Sequence, residues 1–238
     1  MAVVNPIIVA LDMRTAEEAV SVATAVAAHV GAFKVGLGLL HGPGPATIDA
    51  LVRLDKPVFA DAKLHDIPSQ VEAAAYRLGT HGARWVTAHI SGGASMLEAA
   101  VHGLQHGGGA AAVGILGVSV LTSLGAPDLE RVGIQRTPGQ LVGKMAKVAQ
   151  ATGCEGVVCS PQELHVVGQA APGIVRVTPG IRTEETDDDQ TRTATPAEAM
   201  ARGADWIVVG RPITRADDPA RAAAAIAEAV HGAVRPPE

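Results

Sequence analysis

Asp61, Lys63 and Asp66 lie within the run Phe59 to Val71, FADAKLHDIPSQV, and set two carboxylates around one lysine. Side chains two apart on a β-strand leave the same face, so a strand ending at Lys63 puts the Asp61 carboxylate beside the Lys63 ammonium. Ile67-Pro68 then turn the chain out of the sheet, because proline has no N–H for a ladder, and Asp66 falls at that exit. An isolated Asp-x-Lys is more often a structural ion pair than a site, since such pairs are common and each is worth little. The alternative is that the two carboxylates and the lysine belong to a site. The surrounding residues decide between the two.

The elements that must hold these groups alternate regularly. Ile7 to Asp12 is a β-branched run ending in a polar residue, and Thr15 to Val30 follows as a helix with a Thr cap and Glu17-Glu18 in its first turn. The pattern recurs with apolar runs at Ala32 to Gly36, Val58 to Lys63, Trp85 to His89, Ala111 to Val120, Gly156 to Cys159, Ile174 to Thr178 and Trp206 to Val209. Helical patterns follow from about Ala46, Ser69, Ala94, Thr137, Pro161, Pro196 and Asp218. The strands are too uniformly apolar for a half-exposed antiparallel sheet and ask for parallel strands covered by helices. Eight such units in 238 residues predict a single α/β domain, a (β/α)8 TIM barrel spanning 1–238 with its core over about 6–230. The Gly107 to Gly109 run reads as a loop, and His231 to Glu238, with Pro236-Pro237, as a tail.

Composition excludes several classes of partner. A formal net charge of -5 and 2% aromatic residues argue against nucleic acid, which needs a basic face and rings for stacking. No apolar stretch reaches the length of a membrane span, and the amino terminus lacks a basic region ahead of its short apolar run, so a cytoplasmic protein is expected. Cys154 and Cys159 are the only cysteines and read as buried thiols. His102 and His106 have helical ligand spacing but no carboxylate near them in the chain, and no metal site is assigned there.

In such a barrel the chemistry sits at the carboxyl ends of the strands and in the loops after them. Asp12 ends the first strand, Lys34 lies in the second, Asp61 and Lys63 end the third, His89 the fourth, and Thr122 follows the fifth. Each alone has a structural explanation; their convergence on one rim favours a site. After strand seven comes Thr178-Pro179-Gly180-Ile181-Arg182, then a polar loop containing Asp187 to Arg192, and Gly210-Arg211 closes strand eight. Glycines let backbone N–H groups approach an anion, and arginine forks match phosphate oxygens, so Arg182 and Arg211 mark a phosphate site where barrels commonly hold one.

These residues resemble the orotidine 5′-monophosphate decarboxylase family from Ile7 to about Ile226. The motifs are VALD (Val9 to Asp12), FKVG (Phe33 to Gly36), DAKLHDIP (Asp61 to Pro68), Thr122-Ser123, VTPGIR (Val177 to Arg182), DQTR (Asp189 to Arg192) and VGRPIT (Val209 to Thr214). The resemblance implies decarboxylation of orotidine 5′-monophosphate to UMP and CO2, the last step of de novo pyrimidine nucleotide synthesis, without metal or organic cofactor. It implies a homodimer in which Lys34, Asp61, Lys63 and Asp66 form an alternating charge array, Asp66 reaching into the partner's site. It further implies that Asp12 and Lys34 bind the ribose, Thr122 the pyrimidine, and Arg182, Gln190 and Arg211 the phosphate, with Pro179 and Gly210 beside them. Gln70 stands where the family usually has a Thr that reaches the neighbouring ribose; Glu184, where some members carry a phosphate-binding Gln, is not assigned. The loop from Thr183 to Thr193 is the natural lid.

Two rivals share the scaffold. A sugar-phosphate decarboxylase such as that for 3-keto-gulonate 6-phosphate has the same Asp-x-Lys-x-x-Asp but needs Mg2+ and a further carboxylate. A noncatalytic UMP sensor would have no need for both Asp61 and Lys63.

Overall fold

Alternation along the strands sorts the buried apolar residues into two sets. In the computed structural model, which describes residues 5–182 and 193–233, Ile7, Val9 and Leu11 pack outward among helices. Ile8 and Ala10 instead face a second cluster with Ala32, Phe59, Trp85, Leu116, Val177 and Val208. Burial of both faces belongs to parallel strands covered by helices. The strands are β1 (Ile7–Leu11), β2 (Ala32–Val35), β3 (Val58–Leu64), β4 (Trp85–His89), β5 (Gly114–Val118), β6 (Gly156–Val158), β7 (Val175–Thr178) and β8 (Trp206–Val209). Each pairs in parallel with the next, and β8 pairs with β1, closing the eight-stranded barrel expected of a TIM fold.

The helices are α1 (Ala16–Val26), α2 (Leu37–His41), α3 (Ala46–Val52), α4 (Pro68–Thr80), α5 (Ala94–Gly108), α6 (Ala126–Arg131), α7 (Pro138–Ala151), α8 (Leu164–Ala170), α9 (Pro196–Ala201), α10 (Arg211–Thr214) and α11 (Pro219–Ala233). Their starts follow local chemistry. Thr15 caps α1 through the Glu18 N–H at 3.2 Å, and Thr137 and Thr195 form capping boxes with Gln140 and Glu198. Among the described residues no helix is long and apolar enough to cross a membrane.

Several expectations are corrected. Strand β5 spans only Gly114–Val118, and α1 ends at Val26 with a 3-10 turn at Ala27–His29. Gly107 and Gly108 are helical rather than loop, and glycine at 107 is what lets α5 lie against α4, since a Cβ there would stand 2.1 Å from the Tyr76 carbonyl oxygen. The same packing brings Glu72 to His102, Oε1 to Nδ1 at 2.7 Å, supplying the carboxylate that the linear sequence does not show. Helix α11 continues through His231 to Ala233, so the expected tail is partly helix.

The amino-terminal end of the barrel is a stability device. Glu155 accepts both Arg84 terminal nitrogens, each at 2.7 Å, and the Trp85 indole N–H at 2.9 Å. Trp85 meets Trp206 edge-on at 5.2 Å between centroids.

Candidate active site

The inward parity that buries Ile8 and Ala10, Ala32, Phe59, Val177 and Val208 continues at the carboxyl ends as Asp12, Lys34, Asp61, Pro179 and Gly210. Apolar floor and polar rim are thus one pattern, read along each strand. These rim residues, with Lys63, Thr122, Ser123, Arg182 and Arg211, line a cleft of about 310 Å³.

Lys34, 8% exposed, sends its ammonium to Asp12 Oδ1 at 3.1 Å and Asp61 Oδ2 at 3.5 Å. Asp61 Oδ1 takes the Lys63 ammonium at 2.5 Å and the Thr87 hydroxyl at 3.0 Å. Burial alone would push the Lys34 pKa down, but Asp61 and Asp12 outweigh it and hold the ammonium above its ordinary range. Burial alone would raise the Asp61 pKa; Lys34 and Lys63 reverse this and hold the carboxylate below its usual range. Lys34 and Asp61 thus stay charged in a largely water-excluded place, with Lys63 on the far side of Asp61 and Asp12 at the outer end of the row.

The local path of β3 differs from simple two-residue alternation. Pairing with β4 shifts register between Ala60 and Leu64, and Lys63 has φ of +52°. A non-glycine residue in the left-handed region carries about 1–3 kcal/mol of strain, and such strain gathers at functional sites. The expected Asp61–Lys63 contact exists, but across an irregular stretch of β3 rather than a regular one.

Asp66 and Gln70 are exposed and do not line their own chain's cleft. Asp66 Oδ1 accepts the Ile67 N–H at 2.6 Å. His89 stands half-buried beside the row, its ring 5.4 Å from that of His65. Burial, then the charges of His65 and Lys63, lower its pKa. Cys159 is buried and contributes to the cleft wall, whereas burial pushes the Cys154 thiol up to about 11. Gln190 and all of the expected Thr183 to Thr193 lid except Thr193 lie outside the described residues. Thr87 and Gly36 are the contributors that reasoning from side-chain chemistry passes over. Thr87 carries no ionisable group, and Gly36 acts by leaving space: a Cβ there would lie 2.7 Å from Asp12 Oδ1 and 3.0 Å from Lys34 Nζ.

Fold and rim together define a (β/α)8-barrel enzyme that places an Asp/Lys charge row, flanked by arginines, at the carboxyl ends of its strands. The model of the orotidine 5′-phosphate decarboxylase / HUMPS family matches residues 5–226, and the chain belongs to that family. It is 49% identical to the orotidine 5′-phosphate decarboxylase of Anaeromyxobacter sp. (strain K), covering 92% of this chain and 95% of the relative. It is 43% identical to that of Thermobifida fusca (strain YX), over 93% and 94%. The crystal structure of orotidine 5′-phosphate decarboxylase from Lactobacillus acidophilus superposes with a TM-score of 0.83 at 34% identity, covering 95% of this chain and 99% of that one.

Proposed function

We propose that Lys63 delivers the proton that replaces CO2 when orotidine 5′-monophosphate is decarboxylated in this cleft. The activity is that of the family, conversion of orotidine 5′-monophosphate to UMP and CO2 (EC 4.1.1.23) in pyrimidine biosynthesis. The observation that carries the roles is Asp61 held between Lys63 at 2.5 Å and Lys34 at 3.5 Å on the cleft wall.

Breaking the bond between C6 and the carboxylate leaves an electron pair in an orbital that the pyrimidine cannot delocalise. That charge needs a fixed positive neighbour, and reorganising water to supply one is slow and costly. The Lys63 ammonium is already oriented by Asp61. It stabilises the developing carbanion and then gives a proton to C6, leaving an amine that solvent reprotonates. Asp61 faces the substrate carboxylate, and the repulsion between them is relieved as CO2 departs. Lys34 keeps Asp61 ionised and, with Asp12, addresses the ribose.

Thr122 addresses the pyrimidine, and Arg182 and Arg211 the phosphate, where Gly210 and Pro179 keep the wall narrow enough for close approach. Gln190 completes the phosphate set. Phosphate binding far from C6 supports catalysis by holding the reacting carbon in place and drier, so truncated substrates lose turnover as well as affinity. The working unit is a cytoplasmic homodimer in which Asp66 and Gln70 enter the neighbouring cleft; both are exposed and aside from their own.

The test is the loss of ultraviolet absorbance when purified protein meets orotidine 5′-monophosphate with chelator present throughout. Turnover that persists with chelator and vanishes in Lys63→Ala, with UMP still bound, supports the assignment. Substantial turnover in Lys63→Ala refutes Lys63 as donor. No turnover here together with Mg2+-dependent decarboxylation of 3-keto-gulonate 6-phosphate restores the sugar-phosphate rival, and tight UMP binding without turnover the sensor.

A further inference from the structure

Thr87 lies outside every motif of the resemblance and does not line the cleft, yet it touches both members of the central pair. It shares the inward parity of Trp85 on β4, one layer below the rim, and is 0% exposed. Its hydroxyl donates to Asp61 Oδ1 at 3.0 Å and accepts the Lys63 backbone N–H at 2.9 Å. These contacts have a common origin in the bulge. Because β3 slips against β4 between Ala60 and Leu64 while Lys63 turns to φ +52°, the Lys63 N–H leaves the strand ladder. A buried N–H without a partner is costly, and the Thr87 oxygen takes the place of the missing carbonyl. A hydroxyl has one proton; with the amide on a lone pair, that proton is free to point at Asp61.

We propose that Thr87 is a positioning residue of the decarboxylase site, its hydroxyl tying the Lys63 backbone and the Asp61 carboxylate into the one register at which ammonium and substrate carbon can meet. The inference rests on the roles assigned to Asp61 and Lys63 above. Thr87 acts through these two residues and has no contact with substrate of its own. Its hydroxyl stabilises a strained turn at Lys63 and fixes the Asp61 carboxylate plane with one group, so loss of the hydroxyl loosens both at once. Misplacement by a fraction of an ångström is felt in turnover, because the proton transfer and the electrostatic stabilisation both depend on fixed geometry.

A strand threonine can also be there for its shape, and substitution separates the two roles. Valine keeps the volume and loses the hydroxyl, serine keeps the hydroxyl and loses the methyl, and alanine loses both. If the hydroxyl positions the pair, Thr87→Ser stays within about threefold of the parent in kcat. Thr87→Val and Thr87→Ala then fall about 10- to 100-fold in kcat with KM within about threefold, the range set by one hydrogen bond to a charged group. If threonine only fills space, activity follows volume instead: Thr87→Val matches the parent while Thr87→Ser and Thr87→Ala decline together, and the inference is overturned. A loss confined to KM overturns it too. Should Thr87→Val fail to fold, the serine and alanine pair decides alone, since the two differ only in the hydroxyl: equal kcat values reject the inference. Lys63→Ala is assayed in parallel. An active Lys63→Ala brings down the underlying roles, whereas an inactive Lys63→Ala beside a fully active Thr87→Val brings down Thr87 only.

Discussion

Asp61 meets Lys34 through Oδ2 at 3.5 Å while its Oδ1 is occupied by Lys63 at 2.5 Å, so one carboxylate holds two ammonium groups on opposite sides. Neither Lys34 nor Asp61 can be discharged cheaply. A buried charge without its partner costs far more than the pair contributes, and removing Asp61 would leave Lys34 with only Asp12, whose side chain is 64% exposed.

Stability should therefore depend on pH in a definite way. Asp61 is depressed in the folded state, so its contribution is present above about 3.8 and lost as pH falls through the lower folded value. His89 is also depressed: the unfolded chain takes up a proton near 6.5 that the folded protein refuses, and stability falls below that pH. Lys34 is raised, so its contribution is present below about 10.5 and lost as pH climbs through the folded value. The Cys154 thiol is raised by burial to about 11, so the unfolded chain gives up a proton near 9 that the folded protein keeps, and stability falls above that pH as well. Urea midpoints should be flat between about pH 7 and 8 and decline on either side. A His89→Gln variant should lose the part of the decline that begins near 6.5; an unchanged profile would count against the burial of a neutral imidazole.

Gly36 keeps room for the outer ion pair. In Gly36→Ala the new Cβ would stand 2.7 Å from Asp12 Oδ1 and 3.0 Å from Lys34 Nζ, both far ends of side chains. Asp12 can swing away into solvent, so the fold should survive with its melting temperature within a few degrees. The ribose contact proposed for Asp12 and Lys34 should suffer, and we expect kcat/KM to fall about tenfold, an order of magnitude that corresponds to ~1.4 kcal/mol. Steady-state kinetics beside a thermal melt would show whether the two readouts part company.

Gly103→Ala should behave in the opposite sense. Alanine is the better helix former by about 1 kcal/mol, yet a Cβ at Gly103 would lie 2.2 Å from the Glu72 carbonyl oxygen. That atom is backbone in α4 and cannot step aside, so α4 and α5 must separate. We expect a net destabilisation of about 2 kcal/mol or more, against the sign of the propensity. A higher urea midpoint than the parent would mean that the helices move apart at little cost.

Mixed dimers test the shared site. Lys63→Ala and Asp66→Ala chains should each be nearly inactive alone. After subunit exchange, a hybrid contains one cleft with both residues intact and should recover about a quarter of parental activity in an equal mixture, by random pairing of symmetric subunits. Exchange demonstrated by mass without recovered turnover would place Asp66 in its own chain's function.

Much of the molecule is legible in its sequence because strand periodicity is local. The run from Ile7 to Asp12 shows which residues face the barrel and that Asp12 ends on the rim, and the same holds for Lys34 and Gly210. What needs the tertiary structure is whatever joins residues far apart in the chain. Thr87 lies 26 residues from Asp61 and Asp12 22 from Lys34. The need for glycine at 103 and 107 of α5 comes from α4, whose Glu72 and Tyr76 carbonyl oxygens would lie 2.2 and 2.1 Å from a Cβ there. The bulge at Lys63 likewise depends on the register that β4 imposes on β3. The sequence by itself determined the fold class, the order of the strands and the charged residues of the rim, since hydrophobic period and residue type act within a few residues. Only the tertiary structure decided the left-handed turn at Lys63, the hydroxyl that holds it and the exclusion of Asp66 from its own cleft, because these follow from how separate strands meet.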